Sequence, residues 1–139
     1  VILDGIPTQY GWTVYGLHGF ILGERTDIGV DVRIFAKYGV VIEDDVQIGA
    51  GVKIYSEDTI GGKRGPVVIK KGACIGANSV VLPNVIIGER AIVGALVKVW
   101  KDVPAGKVFR GEANCRMNKP LRDFLSSIVV SQMKEMLER

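Results

Sequence analysis

A chain of 139 residues, 47% of them hydrophobic, suffices for one compact domain and is too short for two ordinary ones. Its formal charge of +3 comes from basic residues interspersed with acidic ones, not from the dense stripe expected of a nucleic-acid binder. Glycine or charge interrupts the apolar stretches every few residues, and the N-terminus lacks the basic, apolar, small-residue order of a signal peptide, so no membrane segment is expected. Cys74 and Cys115 form neither a metal-type pair nor a disulfide framework; a reducing, cytoplasmic setting is expected, with both as buried or inert thiols.

Residues 1–21 read as an irregular coil or cap. From Leu22 a period of six takes over, with aliphatic residues at Ile28 and Ile34 and, after a two-residue slip over Ala36 to Val41, at Ile42, Ile48 and Ile54. After a longer slip the count runs without error through Ile69, Ile75, Val81, Ile87, Val93 and Val99. Glycine follows many of these positions, as at Gly29, Gly49, Gly76 and Gly94, and four residues later comes a mostly small or β-branched side chain, such as Val32, Val52, Ser79 or Val97. A six-residue unit holds one short strand and one turn with one aliphatic side chain directed inward, and three units close a triangular coil. Stacked at about 4.8 Å, such coils pair as parallel strands and fill a narrow interior with aliphatic ladders. The spacing therefore predicts an all-β parallel β-helix with four regular coils, beginning near Leu22, Ile42, Ile69 and Ile87. An antiparallel sheet needs a period of two.

The long slip, residues 57–66, is polar, glycine-rich and punctuated by Pro66, and should leave the coil as an exposed loop. Lys101 to Gly106 is expected to end the solenoid within a domain of residues 1–119. Residues 120–139 read as an α-helix, with Leu121, Phe124, Leu125, Ile128, Val129, Met133, Met136 and Leu137 at helical spacing and Pro120 in its first turn. Its apolar face is expected on the chain's own β-helix or on a neighbouring subunit.

The segments Ile75-Gly76-Ala77-Asn78-Ser79-Val80-Val81-Leu82-Pro83-Asn84-Val85-Ile86-Ile87-Gly88, Val93-Gly94-Ala95 and Lys101-Asp102-Val103-Pro104 resemble the hexapeptide-repeat acyltransferases with a left-handed β-helix, over roughly residues 20–115. Within that superfamily the chain is similar to the maltose and galactoside O-acetyltransferases and to the nucleotide-amino-sugar N-acetyltransferases. The resemblance implies a homotrimer, with acetyl-CoA as co-substrate in a groove between neighbouring β-helices and a sugar acceptor near the extruded loop. It implies backbone contacts to the pantetheine arm at Ala77 and Ala95, and adenine and phosphate contacts from Trp100, Lys101 and Arg116. Two departures stand out. The histidine that many O-acetyltransferases carry after the second coil is replaced by Tyr55-Ser56-Glu57-Asp58-Thr59, and the usual closing Gly-Asn-Pro-Ala by Gly111-Glu112-Ala113-Asn114.

A sugar hydroxyl is a poor nucleophile without a base, whereas a deprotonated amine attacks a thioester unaided. The missing histidine therefore favours an amino group of an amino sugar, nucleotide-linked or not, over O-acetylation. Glu57 or Asp58 would orient the amine or collect its proton. His18, the only histidine, is reached by counting back six from Leu22, which aligns it with Ala36 and Ser56. That register puts it about 10 Å from Ser56, too far to bond directly but near enough to share a pocket with Glu57. One histidine per chain does not furnish the three-histidine zinc sites of a γ-type carbonic anhydrase, and no metal is expected. A non-catalytic trimeric scaffold is the remaining alternative.

Overall fold

The computed structural model describes residues 1–111 and 119–138. It is a left-handed β-solenoid of about five turns followed by one helix. The first coil edge is β1 (Thr13–Tyr15), joined through the 3-10 turn Leu17–Gly19 to β2 (Phe20–Leu22), β3 (Asp27–Ile28) and β4 (Arg33–Phe35). The next coil is β5 (Val40–Ile42), β6 (Gln47–Ile48) and β7 (Lys53–Tyr55), after which β8 (Glu57–Asp58) and β9 (Lys63–Arg64) form an antiparallel hairpin that leaves the solenoid. Two more coils follow, β10 (Val67–Ile69), β11 (Cys74–Ile75) and β12 (Val80–Val81), then β13 (Ile86–Ile87), β14 (Ile92–Val93) and β15 (Lys98–Val99). Beyond them come β16 (Val108–Phe109) and the helix α1 (Lys119–Glu138).

The strands stack into three parallel sheets, in the orders β1-β4-β7-β12-β15, β13-β10-β5-β2 and β16-β14-β11-β6-β3. Register follows the period of six: Val14 pairs with Ile34, Ile34 with Ile54, and Val81 with both Ile54 and Val99. These ladders and the residues four places later, among them Val32, Val46, Val52, Ala73, Val85 and Ala91, make one continuous buried core. Corners are tight turns. Val32 N–H donates to Gly29 O at 3.4 Å with Asp31 at φ 62°, and Ala73 N–H to Lys70 O at 3.1 Å with Gly72 at φ 72°. Corners stack so closely that a Cβ on Gly49 would lie 2.7 Å from the Ala77 backbone nitrogen.

Several boundaries differ from those read in the sequence. The solenoid starts earlier, because residues 13–15 of the expected cap already pair in register with β4. It also ends later: Val103 bridges Ile87 in parallel and β16 pairs with β14, so Lys101 to Gly106 form a further corner instead of a stop. Cys74 is half-buried on an outward position of β11 instead of buried, because strand alternation turns Ile75 inward. Over residues 126–138 the helix does not bury its apolar face on the β-helix within the chain, since Val129 is 53% and Met136 69% exposed. Cys115 lies outside the described residues.

The outer surface is patterned as well. One sheet presents the paired column Arg33, Lys53, Val80 and Lys98 beside the aromatic column Tyr15, Phe35 and Tyr55. The adjoining sheet presents Ile21, Val41, Val68 and Ile86 in register.

Candidate active site

The corner after β1, β4 and β7 carries the site. In the first coil it is Gly16-Leu17-His18-Gly19 and in the second Ala36-Lys37-Tyr38-Gly39, each longer than an ordinary corner; in the third it opens into the hairpin. Because Tyr15 pairs with Phe35 and Phe35 with Tyr55, Gly16 aligns with Ala36 and Ser56. The alignment of His18 with those two residues is thus corrected by two positions: the long first corner hides the slip from a count made back from Leu22. His18 nonetheless lines one cleft with Glu57.

That cleft, of about 490 Å³, has the outward aromatic column as its floor. Tyr15 and Phe35 stack with centroids 5.0 Å apart, and Phe35 and Tyr55 at 4.8 Å. Asp4, His18, Lys37 and Glu57 supply the ionisable groups of its lining. Glu57 is held by the hairpin that carries it: Arg64, its cross-strand partner, places Nε 3.0 Å from Oε2. The guanidinium also stands 5.4 Å from the centroid of the Tyr38 ring, a second contact for the partner of the carboxylate. Ser56 is fully buried, donating to Phe35 O at 2.6 Å and accepting from Tyr38 N–H at 3.0 Å. Asp58 is not among the lining residues; its Oδ1 accepts from the Ile60 and Gly61 amides at 3.2 and 3.1 Å and shapes the hairpin turn.

The residues expected to meet acetyl-CoA fall on two different corners. Ala77 and Ala95 occupy the same place in successive coils, with Leu96 N–H donating to Ala77 O at 3.0 Å. Their methyl side chains leave the corner backbone approachable. Trp100 and Lys101 follow β15 at the opposite end of the strand. Trp100 is 49% exposed, and the Lys101 ammonium lies 5.1 Å from its ring centroid and 5.7 Å from that of Phe109. Such a cation held between rings suits the phosphates and the planar base of a nucleotide. Arg116 lies outside the described residues. Among the described residues no three His, Cys, Asp or Glu side chains stand together as a metal site. The sequence reading missed Asp4, Lys37 and the aromatic column, although Tyr15, Phe35 and Tyr55 recur at intervals of twenty.

Comparison with known proteins agrees with this architecture. Residues 66–99 match the family model for the bacterial transferase hexapeptide (six repeats), and residues 19–56 the hexapeptide repeat of succinyl-transferase. A dTDP-3-amino-3,6-dideoxy-alpha-D-galactopyranose 3-N-acetyltransferase of Aneurinibacillus thermoaerophilus is 55% identical over 40 residues, 29% of this chain and 21% of that protein. A 2,3,4,5-tetrahydropyridine-2,6-dicarboxylate N-acetyltransferase of Staphylococcus aureus is 50% identical over 46 residues, 33% of this chain and 19% of its own. Among solved structures, a hexapeptide-repeat acetyltransferase of Vibrio cholerae complexed with acetyl-CoA superposes with a TM-score of 0.66 at 25% identity, covering 76% of this chain and 62% of that one. A galactoside acetyltransferase in complex with coenzyme A gives 0.63 at 25% identity, covering 84% and 61%. The chain thus spans about a fifth of the curated relatives' length and about three fifths of these solved chains. With both halves of its solenoid matching hexapeptide models and the same coil architecture in solved structures, the chain is a hexapeptide-repeat protein with the left-handed β-helix of these acetyltransferases.

Proposed function

We propose that this protein transfers the acetyl group of acetyl-CoA to an amino group of a sugar, a nucleotide-linked amino sugar in particular. The observation that carries the reading is the cleft in which a carboxylate braced by Arg64 stands over an aromatic floor. A carboxylate at the cleft receives an ammonium ion, and the aromatic column offers an apolar surface to a pyranose. Lys37, the one Lys or Arg of the lining, suits a diphosphate linkage. The bound ammonium first gives one proton to water; the neutral amine then attacks the thioester carbonyl, a C–N bond forms, the C–S bond breaks, and the second amine proton ends on the departing thiolate as the CoA thiol. Glu57 orients the amine; Asp58 acts indirectly, through the turn that shapes its hairpin. The activity of the 3-N-acetyltransferase relative supports the amine over the hydroxyl.

Acetyl-CoA lies in a groove between chains of a homotrimer, with Ala77 and Ala95 at the pantetheine and Trp100, Lys101 and Arg116 towards the nucleotide. Exposed apolar columns support self-association: Ile21 is 63% and Ile86 41% exposed on one sheet, and Trp100 flanks the next. No helix among the described residues is long and apolar enough to cross a membrane. A cytoplasmic location fits the paucity of cysteine.

A second reading, acetylation of a sugar hydroxyl, is favoured by His18 lining the same cleft. A panel of amino sugars, nucleotide-linked amino sugars and their hydroxyl counterparts, assayed with acetyl-CoA by thiol release, tests both. Turnover confined to amines supports the first, and turnover of hydroxyl acceptors the second. Failure to bind CoA by calorimetry removes both and leaves a scaffold.

A further inference from the structure

His18 makes no hydrogen bond of its own among the described contacts, so its place at the cleft depends on the backbone of its corner. Long corners of this kind leave amides without a strand partner, and each needs an acceptor. In the second coil that acceptor is Ser56, whose Oγ takes the Tyr38 amide. In the first coil it comes from the other direction. Asp4 Oδ1 accepts from the Gly16 amide at 2.7 Å and from the Leu17 amide at 3.1 Å. The segment around Asp4 is itself tied down, with Gly5 N–H donating to Val14 O at 2.7 Å and Gly5 packed beside the Tyr15 ring. Gly16 stands at φ 82°, and a Cβ there would lie 2.7 Å from the Lys37 backbone nitrogen, so the corner is packed closely against the next coil.

We propose that Asp4 is a positioning residue of the acceptor site: by holding the Gly16 and Leu17 amides, its carboxylate fixes the corner that carries His18 into the cleft. The inference rests on the reading of that cleft as the acceptor site, but its structural part is testable without turnover. His18 is the only histidine in the chain, so a single imidazole signal reports its surroundings.

The test compares the wild type, Asp4→Ala and Asp4→Asn in the full chain by imidazole NMR, calorimetric CoA binding and acceptor kinetics. Asp4→Ala is expected to shift and broaden the His18 ring signals. It should raise the KM for an amino sugar about five- to thirtyfold, the equivalent of one or two hydrogen bonds, with CoA affinity unchanged. Asp4→Asn keeps a carbonyl oxygen where the amides need it and should restore both readouts. An unmoved His18 signal in Asp4→Ala, or an Asn variant that behaves like the Ala variant, overturns the proposal. If Asp4→Ala does not fold, amide exchange in the wild type decides: protected Gly16 and Leu17 amides support the anchor, and exchange at open-chain rates overturns it. A wild type that acetylates no sugar, together with a His18 signal that moves in the Ala variant alone, sinks the acetyltransferase reading and leaves the anchor standing.

Discussion

Phe35 and Tyr55 stack with ring centroids 4.8 Å apart and planes within 1° of parallel, continuing the Tyr15–Phe35 stack below them. In-register pairing of β1, β4 and β7 imposes this, since identical positions recur at each coil spacing. Phe35 is therefore both a packing element and the centre of the cleft floor. Phe35→Ala is expected to cost about 1.5–3 kcal/mol of stability, from lost stacking and half-buried area. It should also raise the acceptor KM while leaving CoA affinity intact. Phe35→Leu should recover most of the stability but not the acceptor affinity. Denaturant melts and calorimetry on the two variants separate the effects.

Leu96 adopts φ 58° at a corner where other coils place Asp31, Gly51 and Asn78, and it is 80% exposed. A left-handed conformation costs an ordinary side chain about 1–2 kcal/mol, and an exposed leucine recovers little of that by packing. Leu96→Asn or Leu96→Gly should therefore stabilise the fold by about 0.5–1 kcal/mol and raise the melting temperature. An unchanged or lower melting temperature would indicate that Leu96 is covered in the assembled protein.

The inward ladders were legible in the sequence because each coil repeats one demand: an aliphatic residue every sixth place and a small one four later. The outward features obey no such demand. His18 was set two places out of register because the eight-residue interval from Val14 to Leu22 hides a slip that only strand pairing reveals. The Asp4 anchor joins residues twelve and thirteen positions apart with no periodic relation. Tyr15, Phe35 and Tyr55 did carry a signal, a shared interval of twenty, but it lies one place past the inward positions that define the repeat.

Arg25 and Asp45 occupy equivalent left-handed corners of successive coils and pair through Nε to Oδ1 at 2.7 Å. The hydrogen bond from Arg25 holds the Asp45 carboxyl below its usual range; desolvation opposes it, and the charges of Arg25 and Lys71 add smaller lowering effects. A depressed carboxyl stabilises the fold above its unfolded pKa, and that stability is lost as pH falls through the folded value. Asp45→Asn should thus melt below the wild type at pH 7, with the gap closing below about pH 4. Because the pair is exposed, the gap should be small and shrink in high salt. Melting curves at pH 7 and pH 3 check the sign.

Lys101 stands beside both Trp100 and Phe109, where its cation can meet a phosphate while the rings flank a base. Lys101→Ala should weaken CoA about tenfold more than it weakens dephospho-CoA or pantetheine, the size of one charge-assisted hydrogen bond. The solenoid should be unaffected, because the residue lies outside the buried ladders. Equal weakening of all three ligands in calorimetry would remove the phosphate contact.

The identity of the proton acceptor is decided by the contrast between Glu57 and His18 across one cleft. Glu57 is braced by Arg64, which suits a receptor for an ammonium group, whereas His18 has an imidazole at the cleft edge. If the acceptor amine needs no strong enzymic base, Glu57→Gln should raise the acceptor KM roughly tenfold, the loss of one charged hydrogen bond, with a smaller effect on kcat. His18→Asn should then retain appreciable turnover, and the rate should rise with pH through the titration of the amine itself. Asp58→Asn should have a milder effect of the same kind, since an amide oxygen still accepts from the Ile60 and Gly61 amides and keeps the hairpin turn. The opposite outcome has a distinct signature. If His18→Asn abolishes turnover with CoA affinity intact, then His18 is the base. A hydroxyl acceptor would then be the better assignment, because only that nucleophile requires the base.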